Sequence, residues 1–255
     1  MNNSSVLYAV EGALALVTLN RPEKRNALND ELVSGLKSAL READAREDIR
    51  AVLIMGAGAD FCSGADLSAL RKIADGSVLE NLEDARSLLE LFAQIRRMRV
   101  PVVAAVRGRA LAGGCGLATA CDIVLASASA RFGYPEVKIG FVPAMVMAIL
   151  RRNVSEKRAF ELVTRGAEIS AAEAERIGLV NHVYDDDSFE TKVERYVADF
   201  ERVSRSAVML TKRLLYQIDG LTFDAALEAG AEINALARMT DDCQAGVARF
   251  LSKQK

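Results

Sequence analysis

Two hydrophobic rhythms alternate along the chain. Short apolar runs rich in β-branched residues read as strands: 6–10 and 14–19 flank Glu11-Gly12-Ala13 as a hairpin, and 51–55, 102–106, 123–126 and 180–184 follow. Between them the apolar spacing widens to that of helices. Leu32, Val33, Leu36, Leu40 and Ala43 share one face of a helix that Asn29 or Asp30 can cap. Asp66 is placed to cap a shorter one carrying Leu67, Leu70 and Ile73. The segment 75–81 reads as a surface excursion, after which Leu82, Leu88, Leu89, Phe92 and Ile95 mark a longer helix. Arg96, Arg97 and Arg99 gather at its end, favourable against the helix dipole, and Pro101 stops it. Further helices are predicted at 144–152 and 155–164, and Ser170 with Glu173 fits a capping box before a helix ending at Gly178.

The rhythm changes after Asp185-Asp186-Asp187. From 189 to 251 everything is helical and amphipathic, with no strand alternation. This divides the chain into a core of residues 1–189 and a C-terminal helical region of 190–255, suited to contacts in an oligomer. The interleaved strands and helices of the core predict an α/β fold with a mainly parallel sheet. Recurring irregular turns also suit a stacked spiral of ββα units, and periodicity alone leaves both open.

Composition narrows the function. Of 255 residues, 51% are hydrophobic, ample for a real core, and the 27% that are charged keep the surface wet. A formal charge of −2 argues against a general nucleic-acid or anionic-membrane binder. The longest apolar run, 141–150, is well short of a membrane span, and Met1-Asn2-Asn3-Ser4-Ser5 has neither the basic flank nor the apolar core of a signal peptide, so a cytoplasmic protein is expected. Cys62, Cys115, Cys121 and Cys243 lack metal-ligand spacing and read as free thiols; no metal is expected. The single histidine, His182, lies in a Gly-Leu-Val-Asn-His stretch that reads as structural. Carboxylates must therefore do any acid–base work.

The richest chemistry lies between Pro101 and Asp122. A strand buried on both faces runs into a polar turn, then into Ala112-Gly113-Gly114-Cys115-Gly116, the start of a helix of small side chains. Glycines are costly inside helices, so their place here signals close approach by a neighbour or ligand, at the end where unpaired N–H groups and the positive dipole favour negative charge. The segment 56–67, ending in Phe61-Cys62-Ser63-Gly64-Ala65-Asp66-Leu67, repeats the idea after another strand. Two such turns can each offer a backbone N–H to one oxygen, which is an oxyanion hole. Neither is a phosphate-binding glycine loop.

Together, Asn20-Arg21-Pro22, Asn26-Ala27-Leu28, the 61–67 segment, Ala110-Leu111-Ala112-Gly113-Gly114-Cys115-Gly116, Cys121-Asp122, Phe132-Gly133-Tyr134-Pro135-Glu136, and Ala174 with Gly178-Leu179-Val180 resemble the crotonase superfamily, the enoyl-CoA hydratase/isomerase family. The resemblance implies the ββα spiral with a C-terminal helical region, a homotrimer or homohexamer, and an acyl-CoA thioester substrate with coenzyme A as part of it and no separate cofactor. By motif position it makes the N–H groups of Ala65 and Gly113 the oxyanion hole, and Glu136 the catalytic acid/base. It puts the adenine on backbone carbonyls near Ala27 and Ser63, the CoA phosphates near Lys24, Arg25 and Lys253, and the rest of the substrate against Gly64, Asp66, Leu67, Gly114 and Gly116. Asp66 and Asp122 more often fix turns than move protons.

One departure matters most. The second glutamate of the family pattern is Gly116 here, and the segment 142–147 is bulkier and more apolar than the usual glycine-rich one. One glutamate suffices to move a proton between the α- and γ-carbons, so the residues favour isomerisation over hydration. Decarboxylase, hydrolase or dehalogenase chemistry on the same fold, or CoA binding without turnover, are the alternatives.

Overall fold

A computed structural model describes residues 4–252. Its strands are β1 (Val6–Glu11), β2 (Leu14–Leu19), β3 (Ala51–Gly56), β4 (Val102–Val106), β5 (Arg109–Leu111), β6 (Ile123–Ser127), β7 (Arg131–Gly133), β8 (Ile169–Ser170) and β9 (His182–Tyr184). Its helices are α1 (Asp30–Ala45), α2 (Leu67–Asp75), α3 (Val78–Arg97), α4 (Gly113–Ala120), α5 (Ala144–Asn153), α6 (Glu156–Arg165) and α7 (Ala171–Arg176) in the first part, then α8 (Phe189–Ala198), α9 (Arg205–Gln217), α10 (Phe223–Arg238) and α11 (Asp241–Ser252).

The sheet settles what periodicity left open. A six-stranded sheet runs in the order β1-β2-β3-β4-β6-β9, antiparallel only at the β1–β2 hairpin. A second, small sheet holds β5, β7 and β8, and Cys62 joins its row through a parallel bridge to Ala110. After β3 the chain steps across to Cys62; after β4 it steps to β5, and after β6 to β7. Each turn of the chain thus lays one strand in the long sheet and a short one in the second layer before going into a helix. That is the ββα spiral, and the reason the irregular turns recur.

The first turns of several helices are set by side chains. Asn29 caps α1 through the Leu32 N–H, and Leu32, Val33, Leu36, Leu40 and Ala43 are all buried as their spacing predicts. The excursion expected at 75–81 is shorter than the sequence suggested. Ser77 and Glu80 form a reciprocal capping box, with Glu80 Oε2 accepting from the Ser77 N–H at 2.7 Å, so α3 begins at Val78. The box expected at Ser170 is only half formed: Ser170 Oγ accepts from the Glu173 N–H, but the Glu173 carboxylate turns to Arg176.

Both faces of the long sheet are covered. On one, β1, β2, β3, β4 and β6 share the main core with α1, α3, α4, α5 and α6. On the other, Phe189, Val193 and Val197 of α8 lie on Leu53, Val103, Ala105 and Leu125. The helices that follow are tied to the core by a buried charge. Lys212 on α9 donates from Nζ to Asp122 Oδ2 at 2.6 Å and to the Ile95 and Val100 carbonyls at 2.9 Å each. Asp122 also accepts the Tyr216 hydroxyl at 2.6 Å and the Val102 N–H at 2.7 Å. All three ammonium protons have acceptors, the condition for tolerating a buried lysine. Asp122 is therefore a structural anchor at the exit of α4. Burial pushes the Lys212 ammonium below its ordinary value, and the Asp122 carboxylate opposes that.

Candidate active site

Three segments meet at the N-terminal end of α4: 63–66, 112–116 and 133–136. Ala112 begins the convergence. It sits at φ 50°, a left-handed conformation that a residue with a Cβ adopts only at a cost, and its N–H donates to Gly133 O at 2.9 Å. This turn sends the chain from β5 directly into α4, whose first residue is Gly113. The N–H of Gly113 is one of the four that a helix leaves without an internal acceptor.

The other loop is held differently. The Leu28 N–H donates to Gly64 O at 2.6 Å, and the Asp66 N–H donates to Leu28 O at 3.0 Å. These two bonds of a parallel bridge straddle Ala65, so its own N–H points away from Leu28. Ala65 is exposed and Gly113 half-buried. The loops touch through Gly64 and Ala112, and Gly64 itself has φ 96°.

The glycines of α4 divide the work of close approach. A Cβ on Gly114 would lie 2.3 Å from Cys62 O, so this residue lets α4 lie against the 61–63 segment. A Cβ on Gly113 would meet side chains alone, Leu28 at 3.0 Å and Leu88 at 3.9 Å. At Gly116 a Cβ would meet the Phe92 ring at 3.1 Å and Val146 at 3.5 Å. Phe92 on α3 and Val146 on α5, both buried, thus occupy the ground next to residue 116.

Glu136 comes from the third segment. Tyr134 is fully buried, with its hydroxyl 2.6 Å from Thr119 Oγ1, which in turn donates to Cys115 O at 2.7 Å. This anchors the stretch after β7 along α4. Pro135 then opens a short helical turn that Gly140, at φ 76°, closes. Glu136 Oε2 is buried and, among the described residues, has no hydrogen-bond partner. Burial raises its carboxyl above the ordinary value, and its negative charge adds a small upward push to the Cys115 thiol. The Cys115 thiol itself is held at about 11, chiefly by its own burial, and is no nucleophile at neutral pH.

The remaining sequence candidates are distributed around this centre. Lys24 and Arg25 are exposed and, among the described residues, form no ion pair. Ala27 is buried, and the Ser63 N–H donates to Arg25 O at 3.1 Å, which brings the two segments proposed for the adenine side by side. Leu67 is 76% exposed at the start of α2. Asp66 caps that helix through the Ala69 N–H; burial opposes its charge, but Ser68, that N–H and Arg21 together hold its carboxyl down at about 2. Lys253 lies outside the described residues. His182 is exposed on β9 and stacks beside Tyr184. No group of three or more His, Cys, Asp or Glu side chains among the described residues is arranged to hold a metal.

Sequence reasoning passed over four residues that shape the site. Arg21 and Asn26 were visible only as motif letters. Asn26, at φ 54° and fully buried, accepts the Arg21 N–H and donates from Nδ2 to Ala57 O and Asp60 O. Phe92 read as one more apolar position on a helix face, and Ala112 carried no signal of its left-handed backbone.

The family model described as enoyl-CoA hydratase/isomerase matches residues 9–255. The chain belongs to the enoyl-CoA hydratase/isomerase family. A Thermus thermophilus chain carrying a provisional enoyl-CoA hydratase name is 38% identical over 244 residues, covering 96% of each. The 2,3-dehydroadipyl-CoA hydratase of Escherichia coli is 33% identical, with 98% of this chain and 97% of that one covered. Among solved structures, an enoyl-CoA hydratase from Mycobacterium smegmatis superimposes with a TM-score of 0.93 at 31% identity, over 98% of this chain and 96% of the other. The fold is that of the crotonases, with their C-terminal helical region, and the protein is an enzyme of this family.

Proposed function

We propose that this enzyme shifts the double bond of an enoyl-CoA thioester from the 3 to the 2 position, with Glu136 as the only proton carrier. In this reading the Glu136 carboxylate takes a proton from the α-carbon. The electron pair left behind spreads through the adjacent double bond and the thioester carbonyl, whose oxygen gains negative charge. The N–H groups of Ala65 and Gly113 receive that oxygen, the second at the positive end of α4. The protonated Glu136 then returns the proton to the γ-carbon, leaving the double bond conjugated with the thioester. No separate cofactor takes part; coenzyme A is the substrate's handle, its adenine at the Ala27 and Ser63 carbonyls and its phosphates near Lys24, Arg25 and Lys253. Gly64, Asp66, Leu67 and Gly114 belong to the walls that shape these contacts.

The observation that carries this reading is the ground beside Gly116. Hydration needs a second group to hold and activate water, and there the neighbours are the Phe92 ring and Val146, both apolar. Glu136, by contrast, offers a buried carboxylate oxygen with no protein partner among the described residues, and burial raises its carboxyl toward working pH. The related hydratases named above favour the other assignment, hydration with water held elsewhere. Ultraviolet absorbance of the conjugated thioester separates the two. A trans-3-enoyl-CoA should give a rising signal and the trans-2 isomer none; a falling signal with the trans-2 isomer would overturn the proposal in favour of hydration.

The assembly we propose is a homotrimer or homohexamer built on residues 190–255. Phe223, Leu227, Leu236 and Phe250 of α10 and α11, with Met239 in the turn between them, are exposed large apolar side chains, which supports burial against further copies. Light scattering of the purified protein tests it. We place the enzyme in the cytoplasm; among the described residues no helix is long and apolar enough to cross a membrane.

A further inference from the structure

Arg21 joins two loops from one side chain. Its Nη1 donates to the Ala27 carbonyl, and its Nη2 donates to Asp66 Oδ2 at 2.9 Å. Both side chains are largely withdrawn from water, 15% and 11% exposed. Ala27 precedes Leu28, whose two backbone bonds straddle Ala65; Asp66 follows Ala65 and caps α2. Beyond that cap the loop has little else to rest on. Among its described residues α2 has none that is buried, and Leu67 and Ala65 are both exposed. The Ala65 N–H is therefore held by the two Leu28 bonds, and Arg21 is the side chain that braces them from both sides.

We propose that Arg21 is a positioning residue for the oxyanion hole. It ties the 26–28 segment to the 64–66 loop on both sides of the Leu28–Ala65 bridge, so that the Ala65 N–H is already aimed when negative charge reaches the thioester oxygen. A guanidinium suits the task because its two Nη atoms reach two acceptors in a fixed plane, a geometry that an ammonium with freely rotating donors does not impose. The Asp66 carboxylate stays ionised through the whole working range, so the tie does not loosen with pH. This inference rests on reading Ala65 as an oxyanion donor.

The test uses acetoacetyl-CoA, an enolisable thioester whose bound enolate has its own ultraviolet band, alongside calorimetric binding of free CoA. The full-length wild type, Arg21→Met and Arg21→Lys are compared. Arg21→Lys keeps the positive charge and serves as the readout should the methionine variant fail to fold. The expected result is an enolate complex weakened by about 10²-fold in the variants, the scale of a misplaced contact. Free CoA affinity should change by less than about threefold, because the Ala27 carbonyl retains its second lone pair. Full enolate binding by both variants would overturn the inference. So would equal losses of enolate and CoA binding, which mark a general structural defect. A wild type that binds CoA but forms no enolate band would instead overturn the reading of Ala65 and Gly113 themselves, and the inference with it.

Discussion

A Cβ built on Gly64 would stand 2.8 Å from the Cβ of Ala112. These two residues precede the two candidate oxyanion donors, Ala65 and Gly113, and their contact sets the spacing between the loops. Gly64→Ala would force them apart, and φ 96° would strain the new side chain as well. The expected outcome is a loss of kcat/KM of about 10²-fold with the fold retained, read from steady-state kinetics and a melting curve. Adding Ala112→Gly removes the closest clash but leaves Leu111 O at 3.1 Å and the strain at residue 64, so recovery should be partial.

Glu136→Gln should lower turnover by about 10³-fold while leaving CoA affinity unchanged, measured by kinetics and calorimetry in parallel. Retained CoA binding with normal turnover would remove Glu136 from the mechanism.

The same variant carries a stability signature. Burial raises the Glu136 carboxyl above its ordinary 4.5, so the folded protein holds that proton more tightly than the unfolded chain does. The resulting stabilisation is complete below 4.5 and is lost as pH rises through the native value. Glu136→Gln has no such titration. Denaturant unfolding over a pH series should therefore show the variant gaining on the wild type as pH rises over that interval. Activity should climb over the same interval as the base ionises.

Restoring a glutamate at residue 116 should not create a hydratase. Its Cβ would already press on the Phe92 ring, and overpacking of this kind costs about 1–3 kcal/mol. Gly116→Glu alone is expected to lower the melting temperature without adding hydration. Combined with Phe92→Ala, which opens room beside it, the falling absorbance of a trans-2-enoyl-CoA should appear.

Lys212→Met would leave the Asp122 carboxylate facing the core without its cation. The expected cost is about 3–5 kcal/mol, read by denaturant unfolding. Asp122→Asn added to it should recover part of the loss, since an amide there needs no counter-charge.

Much of this arrangement was legible in the sequence. A cap at Asn29 or Asp30, the five core positions of α1, the buried strand β4 and the two glycine-rich turns all follow from local spacing, and their motifs carry the family. What escaped depended on partners distant in the chain or on backbone angles. Ser77 looked like part of a loop because a capping box is confirmed only by two side-chain bonds. Glu173 satisfied the box pattern, yet Arg176 offered it a charged partner one turn on. Arg21 makes its contacts 6 and 45 residues away, and neither spacing leaves a periodic trace. The choice between an open parallel sheet and a spiral lay in the second layer, where the Cys62–Ala110 bridge and the three-residue strands β5 and β7 are too short for any propensity to reveal.

The tie between Lys212 and Asp122 also bears on how the chain is made. Every strand of the long sheet has been synthesised by Tyr184, yet Leu53, Val103 and Leu125 stay uncovered until Phe189, Val193 and Val197 emerge, and Asp122 waits for a cation 90 residues downstream. A nascent chain halted near residue 190 would display a wide apolar sheet face and a carboxylate without its partner. Final consolidation therefore waits until α8 and α9 have emerged, and the intermediate before it is the species a chaperone would bind.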